Sequence, residues 1–484
     1  MINFKKYNTA TKIIIPNGVQ LSSTNFYNKF TNMRNVKEVS ILGNVVDLRN
    51  CFRNCTNLIN SSIYENNITN MAYMHFNCQK LTSSPVCGDN VVNMRSAYFN
   101  CFNLTGSPVC GNNVTDMYSA YQNCTNLTGS PVCGDNVTIM SHAYNNCRNI
   151  TGSPVCGNNV FSLQDTYYQC YNLTGSPVCG KNVTDLVNTY YKCSKLTGSP
   201  VCGENVTNMH QTYFECRNIT GSPVCGEKVT NMHETYRGCS QLTGSPVCGE
   251  NVTDMSGTYY GCLNLTGSPV CGNKVTGSMS DTYLNCYSLT GSPVCGENIT
   301  NMSCTYWNCY KLTGSPVCGE NVTNMMKTYY NCQNLTGSPV CGNNVTHLGG
   351  AYYNCCNLTG SPVCGEKVTN LVNRVYSFGS YYNTGAYQNC PNLYGNSYFY
   401  SPNIANALNC FYGRNVDNAL NLYLPANSTS LTTALTNNTS SMVGAEITWT
   451  DDTATNGCYY NTQYNIYIYP VEDVAAARTA NGDD

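Results

Sequence analysis

The chain has 484 residues with 24 Lys and Arg against 26 Asp and Glu, a formal net charge of -2, and only 10% charged residues, where roughly 25% is usual. A balance this neutral, with no cluster of Lys or Arg, excludes the electrostatic footprint of a nucleic-acid-binding protein. No apolar stretch is long enough to span a bilayer as a helix, so membrane insertion is not expected.

The opening Met1-Ile2-Asn3-Phe4-Lys5-Lys6, running on to Ile15-Pro16, contains no apolar run of the length a secretory signal needs. If the chain is complete, it leaves its cell by another route or not at all. Residues 1–44 are expected to form a cap, a degenerate first coil in which Phe26 and Phe30 fall near the places where later repeats carry Tyr and Cys. An uncapped end would expose strand edges and apolar surface. From Val45 onward the pattern comes into register, with Leu48, Phe52, Cys55 and Leu58.

Between Thr82 and Val368 one unit is written thirteen times; at Leu335–Cys355 it reads L-T-G-S-P-V-C-G-N-N-V-T-H-L-G-G-A-Y-Y-N-C. The cysteine of V-C-G recurs every 23 residues from Cys87 to Cys271; one extra residue, Gly277, displaces the next member to Cys295, after which the period resumes through Cys364. Gly277 is expected to appear as a local bulge only. A short, strict period is the signature of a solenoid whose coils bury their apolar faces against one another. Residues 45–376 therefore predict a mostly β repeat solenoid with short helical turns, about fourteen coils stacked at about 4.8 Å, a rod about 65 Å long.

The columns of the repeat assign its inside. Leu or Ile at the repeat start, Val of V-C-G, Val of N-V-T, the Met or Leu that follows, and a Tyr column unbroken from Tyr98 to Tyr352 are expected to form the core. The Asn before Val-Thr (Asn136, Asn182, Asn205, Asn251) predicts an amide ladder that bonds the turn backbone. The N-x-T triplets are read as ladder residues rather than glycosylation acceptors. Of the 33 cysteines, 27 fall in the V-C-G column and in the N-C column from Cys55 to Cys355. An odd count spaced by a repeat argues for buried thiol ladders over disulfides, and no zinc spacing occurs. Cys51, Cys304 and Cys356 lie outside both columns and are expected to react first with a thiol reagent. Ser-Pro interrupts the natural strand position in every unit, as at Ser107-Pro108; Pro has no N–H for a ladder, so this edge must pair irregularly, and the better strand is expected around Asn-Val-Thr.

The order Leu, turn, Val, Met or Leu, aromatic and N-C-x-x-L, with Asn321-Val322-Thr323-Asn324-Met325 followed by Tyr329 and Cys332, resembles the BspA-like leucine-rich repeats, also of 23 residues. The resemblance covers roughly residues 12–376. It implies a leucine-rich-repeat solenoid and a surface role, since the family includes bacterial surface adhesins, protozoan surface proteins and phage virion proteins; it implies no activity.

Beyond Val368 the register breaks at Ser377–Gly385 and recovers at Tyr387–Leu393, so residues 377–420 are read as a degenerate last coil. Residues 421–484 form an expected β cap, with strands around Leu422–Pro425, Glu446–Thr450 and Tyr464–Pro470 and a short helix over Val474–Ala480. The endings I-T-W-T-D-D and T-Y-N-I-Y-I-Y-P-V resemble C-terminal segments of phage structural proteins.

Catalysis needs a singular constellation, and a repeat supplies rows. Of the five histidines only His210 and His233 share a column in consecutive coils, and no carboxylate recurs beside them at ligand spacing. The acidic row Glu204, Glu227, Glu250, Glu297, Glu320 and Glu366 is read as solvated or partly neutralised by Lys228 and Lys367. No nucleophile set, phosphate loop or zinc motif stands out, so no enzyme activity, cofactor or metal is expected. What varies is the column after the tyrosines: Phe99, Tyr168, Tyr191, Phe214, Tyr260, Trp307, Tyr330 and Tyr353, alternating with Gln122, Asn145, Arg237 and Leu284. This mixed column is expected to face solvent near Tyr171, Tyr287 and Tyr310, where exposed rings with flanking amides suit contact with sugar or protein, the equal alternative being that the rings pack against an adjacent turn or a sister subunit. The expected partners are a host-surface protein or glycan, with self-association or other virion proteins. The expected setting is a virion, a tail or surface appendage made in the host cytoplasm and released by lysis, with a cell-surface adhesin as the alternative.

Overall fold

A computed structural model describes residues 9–17, 24–63, 67–377, 380–427 and 449–483. The chain folds as two units, Met1–Leu242 and Thr243–Asp484, and each is a stack of coils.

Unit 1 opens with parallel strands β1 (Lys12–Ile15), β2 (Glu38–Ile41) and β3 (Asn60–Ile63), paired in register from Lys12 against Glu38 and from Glu38 against Asn60. Alternation sends Ile13, Ile15, Val39 and Ile41 into the core. The next coil brings Ser84-Pro85, and there the strand stops: what survives along this edge is one cross-coil bond per coil, such as Thr128 N–H to Gly106 C=O at 3.0 Å. In unit 1 the β-pairing of these coils moves to the end of the Asn-Val-Thr segment without making a full strand. Its pairing is a one-residue parallel bridge, as between Asp116 and Ile139.

The bonds that proline forfeits are supplied by tyrosine. Val178 follows Pro177, and its N–H donates to the Tyr190 hydroxyl at 2.9 Å while that hydroxyl donates to the Val178 carbonyl at 2.8 Å. The same pair of bonds is made by Tyr98, Tyr121, Tyr144, Tyr167, Tyr213 and Tyr236 in unit 1 and by Tyr259, Tyr283, Tyr306 and Tyr329 in unit 2. In the first coils, which have real strands and no Ser-Pro, the same column holds Phe30, Phe52 and His75, stacked ring on ring up to Tyr98. Phenol therefore appears where a backbone pair needs a partner. Phe30 and Phe26 thus occupy the Tyr and Met columns, not Tyr and Cys, and Met33 stands at the cysteine place. Column rings lie 5.4 to 5.7 Å apart within each unit, wider than strand spacing because stacked rings sit offset.

From Met to Cys each coil is a ribbon of turns whose backbone is fully accounted for. Met94, Ser96, Tyr98 and Asn100 donate to the next coil, at Asp116, Tyr118, Ala120 and Gln122, while Ala97, Phe99 and Cys101 donate three residues back. Ser96 and Asn100 take φ of 50° and 59° to do so, a conformation Asn tolerates best. Those N-C asparagines form the side-chain amide ladder: Asn123 Nδ2 donates to Asn100 Oδ1 and Asn146 Nδ2 to Asn123 Oδ1, each at 2.8 Å. The asparagines before Val-Thr bond turn backbone as expected, Asn136 Nδ2 to the Asn112 carbonyl at 2.9 Å.

The core columns are Leu, Val of N-V-T, Met or Leu, the Ala or Thr before the tyrosine, Tyr, and the N-C cysteine. Val of V-C-G is only half-buried; its neighbour Pro turns inward in its place, because the Ser-Pro edge bends. The 33 cysteines are free thiols. Within each unit the N-C thiols donate to carbonyls of the preceding coil, as Cys124 Sγ to Tyr98 O at 3.0 Å and Cys309 Sγ to Tyr283 O at 3.1 Å. Each V-C-G thiol is half-buried until Cys341 and Cys364, and the glycine beside it is obligatory: a Cβ at Gly180 would lie 2.7 Å from Gly157 O and 2.9 Å from Cys156 Sγ. Cys51 is fully buried in the Ala/Thr column and is not the first thiol to react, whereas Cys304 and Cys356 are half-buried.

In unit 2 Gly277, at φ 71°, is a bulge between β4 (Gly277–Ser278) and β5 (Ile299–Asn301), and Tyr259 and Tyr283 still stack at 5.6 Å across it. The register break is an antiparallel hairpin, β7 (Val372–Ser377) with β8 (Ser380–Gly385), inserted between Leu371 and Ala386. Strands return at the last Ser-Pro unit, directly after Ser361-Pro362: β6 (Val363–Cys364), β9 (Gly395–Phe399), β10 (Leu420–Pro425), β13 (Ile466–Val471), β12 (Cys458–Asn461) and β11 (Thr450–Asp452) form one mixed sheet. Leu420, Leu422, Leu424, Ile466 and Ile468 point inward. Helix α1 (Val474–Ala480) packs on β9 and β10, capped by Asp473. Of the expected strand Glu446–Thr450, Glu446–Thr448 lies outside the described residues.

Candidate functional site

The repeat is most uniform where it is buried, so its departures from uniformity mark the face where function can vary. The aromatic column is half-buried at all eight expected positions. Its residues follow the core tyrosines directly, and the turn at that point sends alternate side chains to opposite sides. In unit 1 the rings form two rows. Phe76 and Phe99 stack at 4.6 Å, and Tyr168, Tyr191 and Phe214 stack successively at 4.6 and 4.5 Å. In unit 2 Trp307 meets Tyr330 at 5.2 Å and Tyr330 meets Tyr353 at 4.3 Å, while Leu284 in the same column is buried at 7% exposure. Of the flanking tyrosines, Tyr171 and Tyr310 are half-buried and Tyr287 is exposed, 5.2 Å from Tyr310.

The column expected to stand free in solvent is thus a set of self-stacked rows showing ring edges and part of their faces. The cause is the coil spacing, which brings consecutive rings into contact. Cations flank these rows, Arg53 and Arg237 from the mixed column itself and Lys192 and Lys327 from other columns. Arg53 lies 4.9 Å from the Phe76 ring centre, Lys192 lies 5.3 Å from Tyr191, Arg237 lies 5.5 Å from Phe214, and Lys327 lies 4.4 Å from Trp307. Arg237 is tied to Glu234, which also accepts from Gln211 at 2.6 Å. Burial works to raise the Glu234 carboxyl, but those hydrogen bonds outweigh it and hold the group below the usual range.

His210 and His233 do stack, 5.0 Å apart and 7° from parallel. Among the described residues no group of three or more His, Cys, Asp or Glu is placed to hold a metal. The acidic row is exposed, and Lys228 and Lys367 reach asparagines of the preceding coil, Asn205 and Asn344, each at 2.6 Å, instead of the glutamates. A separate cavity of about 410 Å³ opens on the outer face of the C-terminal sheet, lined by Asp452, Asn456, Cys458, Tyr460, Tyr467 and Tyr469. No helix among the described residues is long and apolar enough to cross a membrane.

Coils of this period, with buried Leu, Val and Met columns and a cross-coil bond pattern, define a leucine-rich repeat protein. The family described as BspA type leucine rich repeat region, in six copies, matches residues 3–128 and 118–243; over these residues the chain is of this BspA type, and no enzyme family is indicated. No curated protein matches the chain. Among solved structures it is similar to a leucine-rich repeat protein from Bacteroides ovatus, with 14% identity over 87% of this chain and 88% of that one and a TM-score of 0.36. It is also similar to a leucine rich cell surface protein from Faecalibacterium prausnitzii, with 14% identity over 75% and 84% and a TM-score of 0.24. An internalin from Listeria monocytogenes gives 15% identity over 65% and 77%, with a TM-score of 0.18.

Proposed function

We propose that this protein is a non-catalytic binding protein that presents its aromatic rows to glycans on a host surface, displayed on a virion or at a cell surface. The observation that carries this reading is the recurrence of large, half-exposed rings in one otherwise variable column, where they stack into rows of two and three. A stacked ring offers a rigid apolar face at small entropic cost, and neighbouring amides such as Gln122 and Asn145 supply hydrogen bonds. The virion setting rests on the C-terminal resemblance; the cell-surface setting rests on the adhesins of the BspA-like family.

The test is a triple replacement of Tyr168, Tyr191 and Trp307 by Ala, assayed on a glycan array and on whole cells. Loss of binding with the fold retained by circular dichroism supports the reading. Because these rings are stacked, each replacement costs about 1–2 kcal/mol of stability rather than the few tenths of a free surface position. Unchanged glycan binding would remove the rows from the function, and binding to cells without any glycan would point to a protein receptor. Proteomics of purified particles and of surface-shaved cells separates the two settings.

A further inference from the structure

One cation on these rows is buried without an anion. Lys327 is 8% exposed, its Nζ lies 4.4 Å from the centre of Trp307 and 5.9 Å from that of Tyr330, and no described residue offers it a carboxylate within ion-pair reach or a hydrogen-bond acceptor. Its own column holds Asp281 two coils back, with Cys304 between and Gly350 after it. The inserted hairpin contributes no carboxylate either, since residues 372–385 contain neither Asp nor Glu. An ammonium drawn partly out of water with no anion beside it is disfavoured, and contact with ring faces offsets only part of that.

The hairpin also explains the coil that follows. Where the preceding coil carries Met326-Lys327, the next carries Gly349-Gly350, and a Cβ on Gly349 would lie 2.5 Å from Asn373 N. A Cβ on Gly350 would lie 3.1 Å from Thr384 Oγ1 and 3.6 Å from the Tyr330 ring. The hairpin base therefore rests on the two glycines and walls the row beside Lys327. The other unit repeats the chemistry without the wall: Lys192 Nζ lies 5.3 Å from Tyr191 and 5.9 Å from Phe214, again with no carboxylate in ion-pair reach among the described residues.

We propose that the row Trp307, Tyr330 and Tyr353 takes an acidic glycan, with ring faces against the sugar and Lys327 pairing its carboxylate or sulfate ester. This rests on the glycan reading above and narrows it to a ligand class. The experiment is binding of the full chain to immobilised polygalacturonate, heparin and neutral dextran at low and high salt, with Lys327→Met and Lys327→Arg beside the native protein. The expected result is at least tenfold tighter binding to an acidic polymer than to dextran, an advantage that shrinks with salt, is lost in Lys327→Met and is kept in Lys327→Arg. Polygalacturonate against heparin tells carboxylate from sulfate. Equal binding of acidic and neutral polymers by the native protein overturns the proposal and leaves the glycan reading standing, and needs no variant to fold. A preference that survives in Lys327→Met overturns it as well, and no binding to any polymer overturns both.

Discussion

Replacing Tyr190 by Phe removes one oxygen atom and tests how the coil tolerates its proline. That hydroxyl accepts from Val178 N–H at 2.9 Å and donates to Val178 C=O at 2.8 Å, and the ring is completely buried. Without it, both backbone groups of Val178 lose their partner beside Pro177, which offers no N–H of its own. An unmade bond at a buried group costs about 1–3 kcal/mol; Val178 is half-buried, so water repays part, and about 2–4 kcal/mol is expected. In a unit of this size that corresponds to a fall of roughly 4–16 °C in Tm. Hydrogen exchange reads the same loss locally, as faster exchange of the Val178 amide than of Thr189 or Cys193. The control is Tyr191→Phe, one residue along, whose hydroxyl makes no hydrogen bond among the described residues; it should change stability by less than about 0.5 kcal/mol. If the two variants are equally stable, the tyrosine column is packing alone and the link between Ser-Pro and phenol is wrong.

Two further outcomes follow from groups that folding holds neutral. His75 is buried between Phe52 and Tyr98, bonded through Nε2 to Ser61 Oγ at 2.9 Å, and burial lowers its pKa to about 3. A depressed folded pKa gives stability that is present above the unfolded value near 6.5 and is lost as pH falls below it, about 2 kcal/mol by pH 5; His75→Phe should flatten the acid limb of a denaturation midpoint plotted against pH, and an unaltered limb would refute the assignment. The thiols work in the opposite direction: burial pushes Cys133 up to about 11 and Cys156 and Cys202 up to about 12, and raises the thiol of Cys124 and the phenol of Tyr121 well above their ordinary values. Raised folded values give stability that is complete below about pH 8.5 and is lost as pH rises from there toward 12, so Tm should be level near neutrality and fall steeply above pH 9. Thiol labelling at pH 8 should be slow for all 27 column cysteines and complete after denaturation.

A period of 23 with buried Leu, Val, Met, Tyr and Cys columns was legible in the chain itself, because a repeat reports its neighbours: the residue packed against position i is position i plus 23. The same logic gave the bulge at Gly277, the buried N-C thiols and the place of the variable aromatic column, but not that most V-C-G thiols are only half-buried. It could not show that Pro turns in while the adjacent valine turns half out, since both are apolar and only the path of the bent edge decides between them. Nor could it tell that Cys51 is buried by standing in the Ala/Thr column. Coil spacing brought the rings of the candidate site into rows, and the hairpin that Val372–Gly385 forms set the wall beside Lys327. Those contacts join residues from different columns, and a column pattern carries no information across columns; the distance from Lys327 to Trp307 exists only once the coils are stacked.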